Sequence, residues 1–263
     1  MGLGVWDLGF GLSRDYDAAC VSLLFIALGL SLVGGLGGLL VASGVLLIKD
    51  SARARFLPWL VSYAVGALLG VATLKILPEA LDRVEATAIL ATLLGGILLF
   101  FVLEKLVLWR HCHTHDCEVH ESTVWTVVIG DGFHNFVDGA VIAAAVMTSI
   151  PLGVSTAVAV AAHEIPQEVG DFAVLLHAGC SRGRALALNI ASALASAVGA
   201  LAAYAAFDVV PNTLPYFLAL AAASFLYVAM ADLIPGLHRG RTDAAAFRQI
   251  LLIGAGIGTM LVL

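Results

Sequence analysis

The sequence predicts an all-α, polytopic helix bundle in a membrane, and three observations predict it. Of 263 residues, 61% are hydrophobic and only 12% charged, with a mean hydropathy of +1.01, whereas soluble domains carry about 25% charge. Apolar runs recur at close to the ~20 residues that cross a hydrocarbon core, well beyond the ~11 to 12 residues of an average helix. The basic residues collect at alternate ends of these runs, as successive membrane crossings require.

Polar punctuation divides the chain into eight candidate spans, at about 18–48, 57–77, 87–109, 123–148, 153–179, 185–207, 213–235 and 246–263. The lead-in carries Asp7, Asp15 and Asp17 against Arg14, so it lacks the basic start of a cleaved signal peptide and reads as a short polar approach to the first span. In that span Gly34, Gly35, Gly37 and Gly38 suit close helix packing. The second span closes on Ile76-Leu77-Pro78 and the seventh on Leu233-Ile234-Pro235, a weak internal echo of inverted sense.

Ten of the thirteen Lys and Arg residues fall on one side of this arrangement: Lys49, Arg53, Arg55, Lys105, Arg110, Arg182, Arg184, Arg239, Arg241 and Arg248. The positive-inside rule makes that side cytoplasmic and puts both termini outside. Residues 1–263 therefore read as a single transmembrane domain, with 110–122 as a cytoplasmic histidine-rich loop within it. Four scattered cysteines suggest reduced thiols, not a disulfide framework. There is no Gly-rich phosphate loop followed by Lys to support an ATP-driven pump, and no basic patch to suggest nucleic acid.

A charge at the centre of a span costs about 2.5 to 3.5 kcal/mol on insertion scales, yet the fourth and fifth spans carry several. Asp131, His134, Asn135 and Asp138 lie at offsets of three, four and seven, on one helical face. The fifth span holds His163, Glu164, Gln167, Glu168 and Asp171, with His163 one turn from Gln167 and Glu164 one turn from Glu168. Each set begins about ten residues into its helix, ~15 Å along the axis, so both are expected near mid-membrane. His134 and Asp138 can then face His163 and Gln167, while Asn135, Glu164 and Glu168 offer oxygens for an adjoining position. Imidazole nitrogen with carboxylate oxygen suits zinc and its first-row neighbours. Pro166 removes a backbone donor from the fifth helix and is expected to kink it at the site.

Between the third and fourth spans, His111, Cys112, His113, His115, Cys117 and His120 stand with two acids inside ten residues, the composition of a flexible metal acceptor. A solvated loop is the plainer reading. Asp131, Asp171, His177 and Asp232 are candidates for a pathway between site and cytoplasm. Protons compete with metal for imidazole, so transport is expected to weaken as pH falls through the range near ~6.5 where histidine titrates.

The run His134-Asn135-x-x-Asp138-Gly139 and the run His163-Glu164-x-Pro166-Gln167-Glu168-Val169-Gly170-Asp171-Phe172 resemble the fourth- and fifth-span motifs of the ZIP (Zrt/Irt-like) metal transporters, in the style of their histidine-rich subfamily. The resemblance implies a 3+2+3 helix arrangement, homodimers, and uptake of zinc, or of iron, manganese or cadmium, toward the cytoplasm across the cell (plasma or inner) membrane. It implies a binuclear site, with His134, Asp138, His163 and Gln167 at the main position and Asn135 and Glu164, sharing Asp138, at the accessory one. Two positions depart from the pattern. Gln167 stands where the subfamily usually has His, and the sixth span offers Asn189, Ser192 and Ser196 where some members supply a carboxylate.

Two other functions compete. His163-Glu164 begins like the H-E-x-x-H signature of an intramembrane zinc metallohydrolase, though position 167 is Gln and Pro166 interrupts the spacing. A proton- or sodium-coupled carrier of another solute fits the buried carboxylates and leaves the histidines unexplained.

Overall fold

The computed structural model describes residues 9–111, 119–238 and 244–263, and every regular element among them is helical. In chain order these are α1 (Gly9–Leu46), α2 (Asp50–Val71), a π-helical stretch (Ala72–Ile76), α3 (Leu77–Leu81), α4 (Ala86–His111), α5 (Val119–Thr148), α6 (Ile150–His177), α7 (Arg182–Ala193), α8 (Ala195–Val209), a 3₁₀ turn (Pro211–Thr213), α9 (Leu214–Tyr227), a second π-helical stretch (Val228–Leu233), α10 (Ile234–Leu237) and α11 (Ala244–Val262). The expected polar lead-in is helical from Gly9 and continues directly into α1.

Local chemistry explains several boundaries. Ser149 and Ser181 cap α6 and α7, their hydroxyls accepting from the amides of Leu152 and Arg184, each at 3.3 Å. α6 ends at Gly179, whose φ of +87° lets Cys180 N–H reach back to the Leu175 carbonyl at 3.0 Å. Its interior Pro166 leaves the Ala162 carbonyl without its usual donor, yet α6 runs through as one helix.

The two echoing segments share a backbone irregularity. Pro78 and Pro235 each follow a π-helical stretch, and the carbonyl four residues earlier, of Leu74 and of Ala231, lies inside it. A proline ring clashes with that carbonyl in a regular α-helix, and the wider turn gives it room.

Among the described residues, six helical stretches are long and apolar enough to cross a membrane: Ser22–Leu46, Arg55–Leu81, Ala86–Lys105, Val127–Thr148, Arg182–Phe207 and Leu214–Leu237. The sequence predicts eight spans. Of the other two, α6 has the length, but its polar residues dilute its hydropathy, and the apolar part of α11, Ala246–Val262, is shorter.

Helices pack in parallel pairs, since contacting residue numbers rise together. α1 lies on α6 (Gly34 at Val160, Gly38 at Glu164), α2 on α11 (Gly66 at Ile253, Gly70 at Ile257), and α4 on α9 (Gly96 at Ala223, Glu104 at Tyr227). α5 packs against α7 and α8 through Gly132 at Ser192 and Gly139 at Ser196. Backbone meets backbone at several of these points: a side chain on Gly139 or Gly199 would strike the carbonyl of Ser196 or Phe136, and one on Gly66 that of Ile253. Glycine contacts tie α1 to helices α5 to α8, α2 to α11, and α4 to α9, and the packing of α2, the first π-helical stretch and α3 on α9 joins the last two pairs into a second group. Among the described glycines none bridges the groups. Ala140–Val146 of α5 is buried on all sides and anchors the apolar core above the polar set.

Candidate metal centre

α5 and α6 run antiparallel, joined only through Ser149, so residues a similar distance from that turn stand at one level. That brings His134 and Asp138 of α5 to His163 and Glu164 of α6, with one ligating atom from each within 4.8 Å of the others. His163 Nε2 is 3.0 Å from His134 Nε2 and 3.0 Å from Asp138 Oδ2, and His134 Nε2 is 3.6 Å from both Asp138 Oδ2 and Glu164 Oε1. Asp138, His163 and Glu164 are at most 1% exposed, whereas His134 is 22% exposed and meets open space.

The tautomer of His163 follows from its backbone partner. Nδ1 lies 3.1 Å from the Ala159 carbonyl, which can only accept, so Nδ1 donates and the neutral ring's lone pair sits on Nε2, facing the cluster. That lone pair confronts an Asp138 oxygen that has no donor. Two acceptors at 3.0 Å repel unless a cation lies between them. Phe225 of α9 packs against the ring, its centroid 6.1 Å away.

A second group adjoins the first: Asp131, Glu164 and Glu168, again within 4.8 Å. Asp131 Oδ1 accepts from the Asn135 amide at 3.1 Å and the Gln167 amide at 3.2 Å. Asp131 Oδ2, Asn135 Oδ1 and both oxygens of Asp138, Glu164 and Glu168 are buried without a hydrogen-bond donor. Buried, undonated carboxylate oxygens are costly unless cations or protons lie among them. The donor set thus fits a divalent ion, with nitrogen and oxygen at one position and oxygen alone at the next.

A cavity of about 630 Å³ leads to His134 from one end of the bundle. Asp131, Gln167 and Asp171 line it from one group of helices, and Pro58, Val228 and Asp232 from the other. It opens beside the start of α2 and the ends of α6 and α10, the end that also carries Lys49, Arg182 and Arg184. A second cavity of about 320 Å³ shares His134 and Asp232 with the first and is lined also by Glu104 and Tyr227, where the tyrosine hydroxyl donates to the Glu104 carboxylate.

The structure thus brings together nearly all residues singled out in the two spans. Gln167 lies on the cavity wall with its amide nitrogen given to Asp131, and Asn135 likewise donates to Asp131. Asp171 and Asp232 line the cavity, whereas His177 is exposed at the end of α6, outside that lining. Cys112, His113, His115 and Cys117 lie outside the described residues, as do the side chains of His111 and His120. Sequence reasoning passed over Glu104 and Tyr227. A lone Glu beside Lys105 at the end of an apolar run looks like a membrane boundary, and only the packing of α4 on α9 gives it a partner.

Together, the apolar helices and the buried imidazole and carboxylate cluster define a multi-pass helical membrane protein with a group of side chains that could hold a metal ion. Residues 110–263 match the sequence profile of the ZIP zinc transporter family. Zinc transporter ZIP13 of Pongo abelii is 31% identical over 231 residues, covering 81% of this chain and 69% of that protein. The chain belongs to the ZIP zinc transporter family. Zinc transporter ZIP10 of Danio rerio is 43% identical over 122 residues, 46% of this chain and 14% of that protein. Human zinc transporter ZIP4 is 41% identical over 133 residues, 51% of this chain and 20% of its own length. The chain spans only a small part of these last two relatives.

Proposed function

We propose that this protein carries zinc, or a related divalent ion such as iron, manganese or cadmium, across the cell membrane toward the cytoplasm by alternating access. One observation carries the reading: two imidazoles and two carboxylates converge on a buried point at the inner end of a cavity that opens at the basic end of the bundle. His134, Asp138 and His163 hold the ion at the transport position, Gln167 flanks it, and Glu164 sits between this position and an accessory one formed with Asn135 and Glu168. Asp131, Asp171 and Asp232 form the route onward, His177 stands at its margin, and the loop histidines and cysteines (His111, Cys112, His113, His115, Cys117, His120) receive the ion. Supporting this last role, α4 ends and α5 begins at the end where the cavity opens.

In this reading the chain crosses the membrane eight times in a 3+2+3 arrangement with both termini outside, and works as a homodimer. The parallel pairing of helices, the two proline-linked π stretches and the continuity of α6 support the count. The ligands all belong to α5 and α6, which glycine contacts tie to α1, α7 and α8. Relative motion of the two helix groups would expose the ion to each side in turn.

The metallohydrolase alternative is not supported. A second zinc-ligating His is needed where Gln167 stands, and its amide instead donates to Asp131. The deciding experiment is uptake into proteoliposomes with a panel of divalent ions, comparing wild type with His134→Ala and His163→Ala. Zinc flux that survives unchanged in both variants rejects the site.

A further inference from the structure

The segment from Leu57-Pro58 to Pro78 and the segment from Leu214-Pro215 to Pro235 keep the same spacing between their two prolines, so their residues match one to one. Each passes through a π-helical stretch just before its second proline. In the match Val61 pairs with Leu218, Val71 with Val228, Ile76 with Leu233, and Lys75 with Asp232. The packing repeats as well: Gly66 lies on Ile253 of α11, and its counterpart Ala223 lies on Gly96 of α4. The two segments run in opposite directions, since the start of α2 and the ends of the second π-helical stretch and α10 line one cavity.

We infer that Lys75 lines the ion's route at the end of the bundle opposite the present cavity, as Asp232 lines it at the basic end, and that its ammonium opposes a divalent cation entering there. This deepens the transport reading and rests on it.

The two ends of the bundle differ in the way inverted repeats allow. At the basic end Val61, Val228, Asp232 and Leu233 line the cavity. At the opposite end their counterparts Leu218, Val71 and Ile76 are fully buried in one apolar cluster, and α9 packs directly on the first π-helical stretch and α3. One end is open and the other is shut. A carrier built from inverted repeats opens its second side by the same geometry turned over, because each repeat can take the arrangement the other already shows. The buried counterparts then part, and Lys75 stands on the wall where Asp232 stands here.

The matched position carries opposite charges at the two ends. Asp232 attracts a cation, and Lys75 repels one. A charged side chain kept inside an apolar span is costly, and π-helical turns recur at functional sites. Lys75 is half-buried and has no ion pair or hydrogen bond among the described residues. Glu79, the nearest acid along the chain, is held by Arg83, whose guanidinium donates to it at 2.7 and 2.9 Å. A fixed positive charge in a route walled by low-dielectric material lowers the local concentration of cations. It therefore raises the concentration of ion needed to fill the site from that side.

The test uses the full chain in liposomes, in a background lacking the four native cysteines, with a single Leu218→Cys and, separately, a single Val71→Cys. Reaction rates are measured with an anionic and a cationic methanethiosulfonate reagent. Both thiols should react although both positions are buried in this structure, and Lys75→Gln should lower the ratio of anionic to cationic rate at least about threefold. Lys75→Arg and Arg83→Gln should leave the ratio unchanged. In zinc uptake Lys75→Gln should lower KM by about the same factor, with the maximal rate within about twofold. No reaction at either thiol, a ratio insensitive to Lys75→Gln, an equal change from Arg83→Gln, or an unchanged KM would overturn the proposal. Labelling needs no zinc, so a chain that labels as expected and carries no metal would count against the transport reading and leave the place of Lys75 on the route standing.

Discussion

Nε2 of His134 lies 3.0 Å from Nε2 of His163, across the interface of two helices that share no other close imidazole contact among the described residues. His163 commits its other ring nitrogen to Ala159, so its lone pair is aimed and not free to rotate away. Replacing His163 by Ala should therefore lower zinc affinity by at least about 100-fold, the upper end of what loss of an orienting group alone costs. Isothermal titration of the purified protein measures it, and a loss under threefold would remove His163 from the ligand set.

Gln167 supports the site from behind by donating to Asp131. Gln167→Ala should weaken zinc binding about 10- to 100-fold without abolishing it. Abolition would instead make the amide oxygen an essential ligand.

Close backbone packing makes some glycines irreplaceable and leaves others free. Gly139→Ala forces a side chain into the Ser196 carbonyl and should destabilise by about 1 to 3 kcal/mol. Gly95→Ala has no neighbour within 4 Å and should change stability by less than about 0.5 kcal/mol. Thermal unfolding in detergent compares them, and equal melting temperatures would contradict the packing.

Accessibility from one end can be mapped with single cysteines in a background lacking the native four. A thiol at Asp232, on the cavity wall, should react with a charged reagent applied at the basic end, whereas one at Ala144, which is fully buried, should not. Labelling at both positions would mean that the path is open along its length.

Tyr227→Phe removes the hydroxyl that donates to Glu104. A bond to a charged group contributes about 1.5 to 3 kcal/mol, and a double-mutant cycle with Glu104→Gln should recover a coupling of this sign. A coupling of zero would make the contact incidental.

Much of this was legible before any coordinates. Hydropathy marked out the six stretches that are long and apolar enough to cross a membrane, and the offsets within Asp131–Asp138 and His163–Gln167 put both polar sets on facing sides at one level, because helical periodicity and chain length fix both. What stayed hidden depends on partners distant in sequence. Gln167 offers both a donor and an acceptor, and only the position of Asp131 decides which end is used. Glu104 gains its meaning from Tyr227. The weak echo around Pro78 and Pro235 has a shared backbone feature that residue patterns do not show, since both prolines follow a π-helical stretch.

The cavity reaches His134, whereas His163 beside it and Phe225 against that ring are each only 1% exposed. An ion that must pass between buried side chains cannot flow in a continuous stream. Under the proposed alternating access, each delivered ion requires one rearrangement of the protein, on the microsecond-to-millisecond scale of collective helix motion or slower. Flux should saturate with concentration and carry the steep temperature coefficient of a conformational step, not the shallow one of diffusion through water.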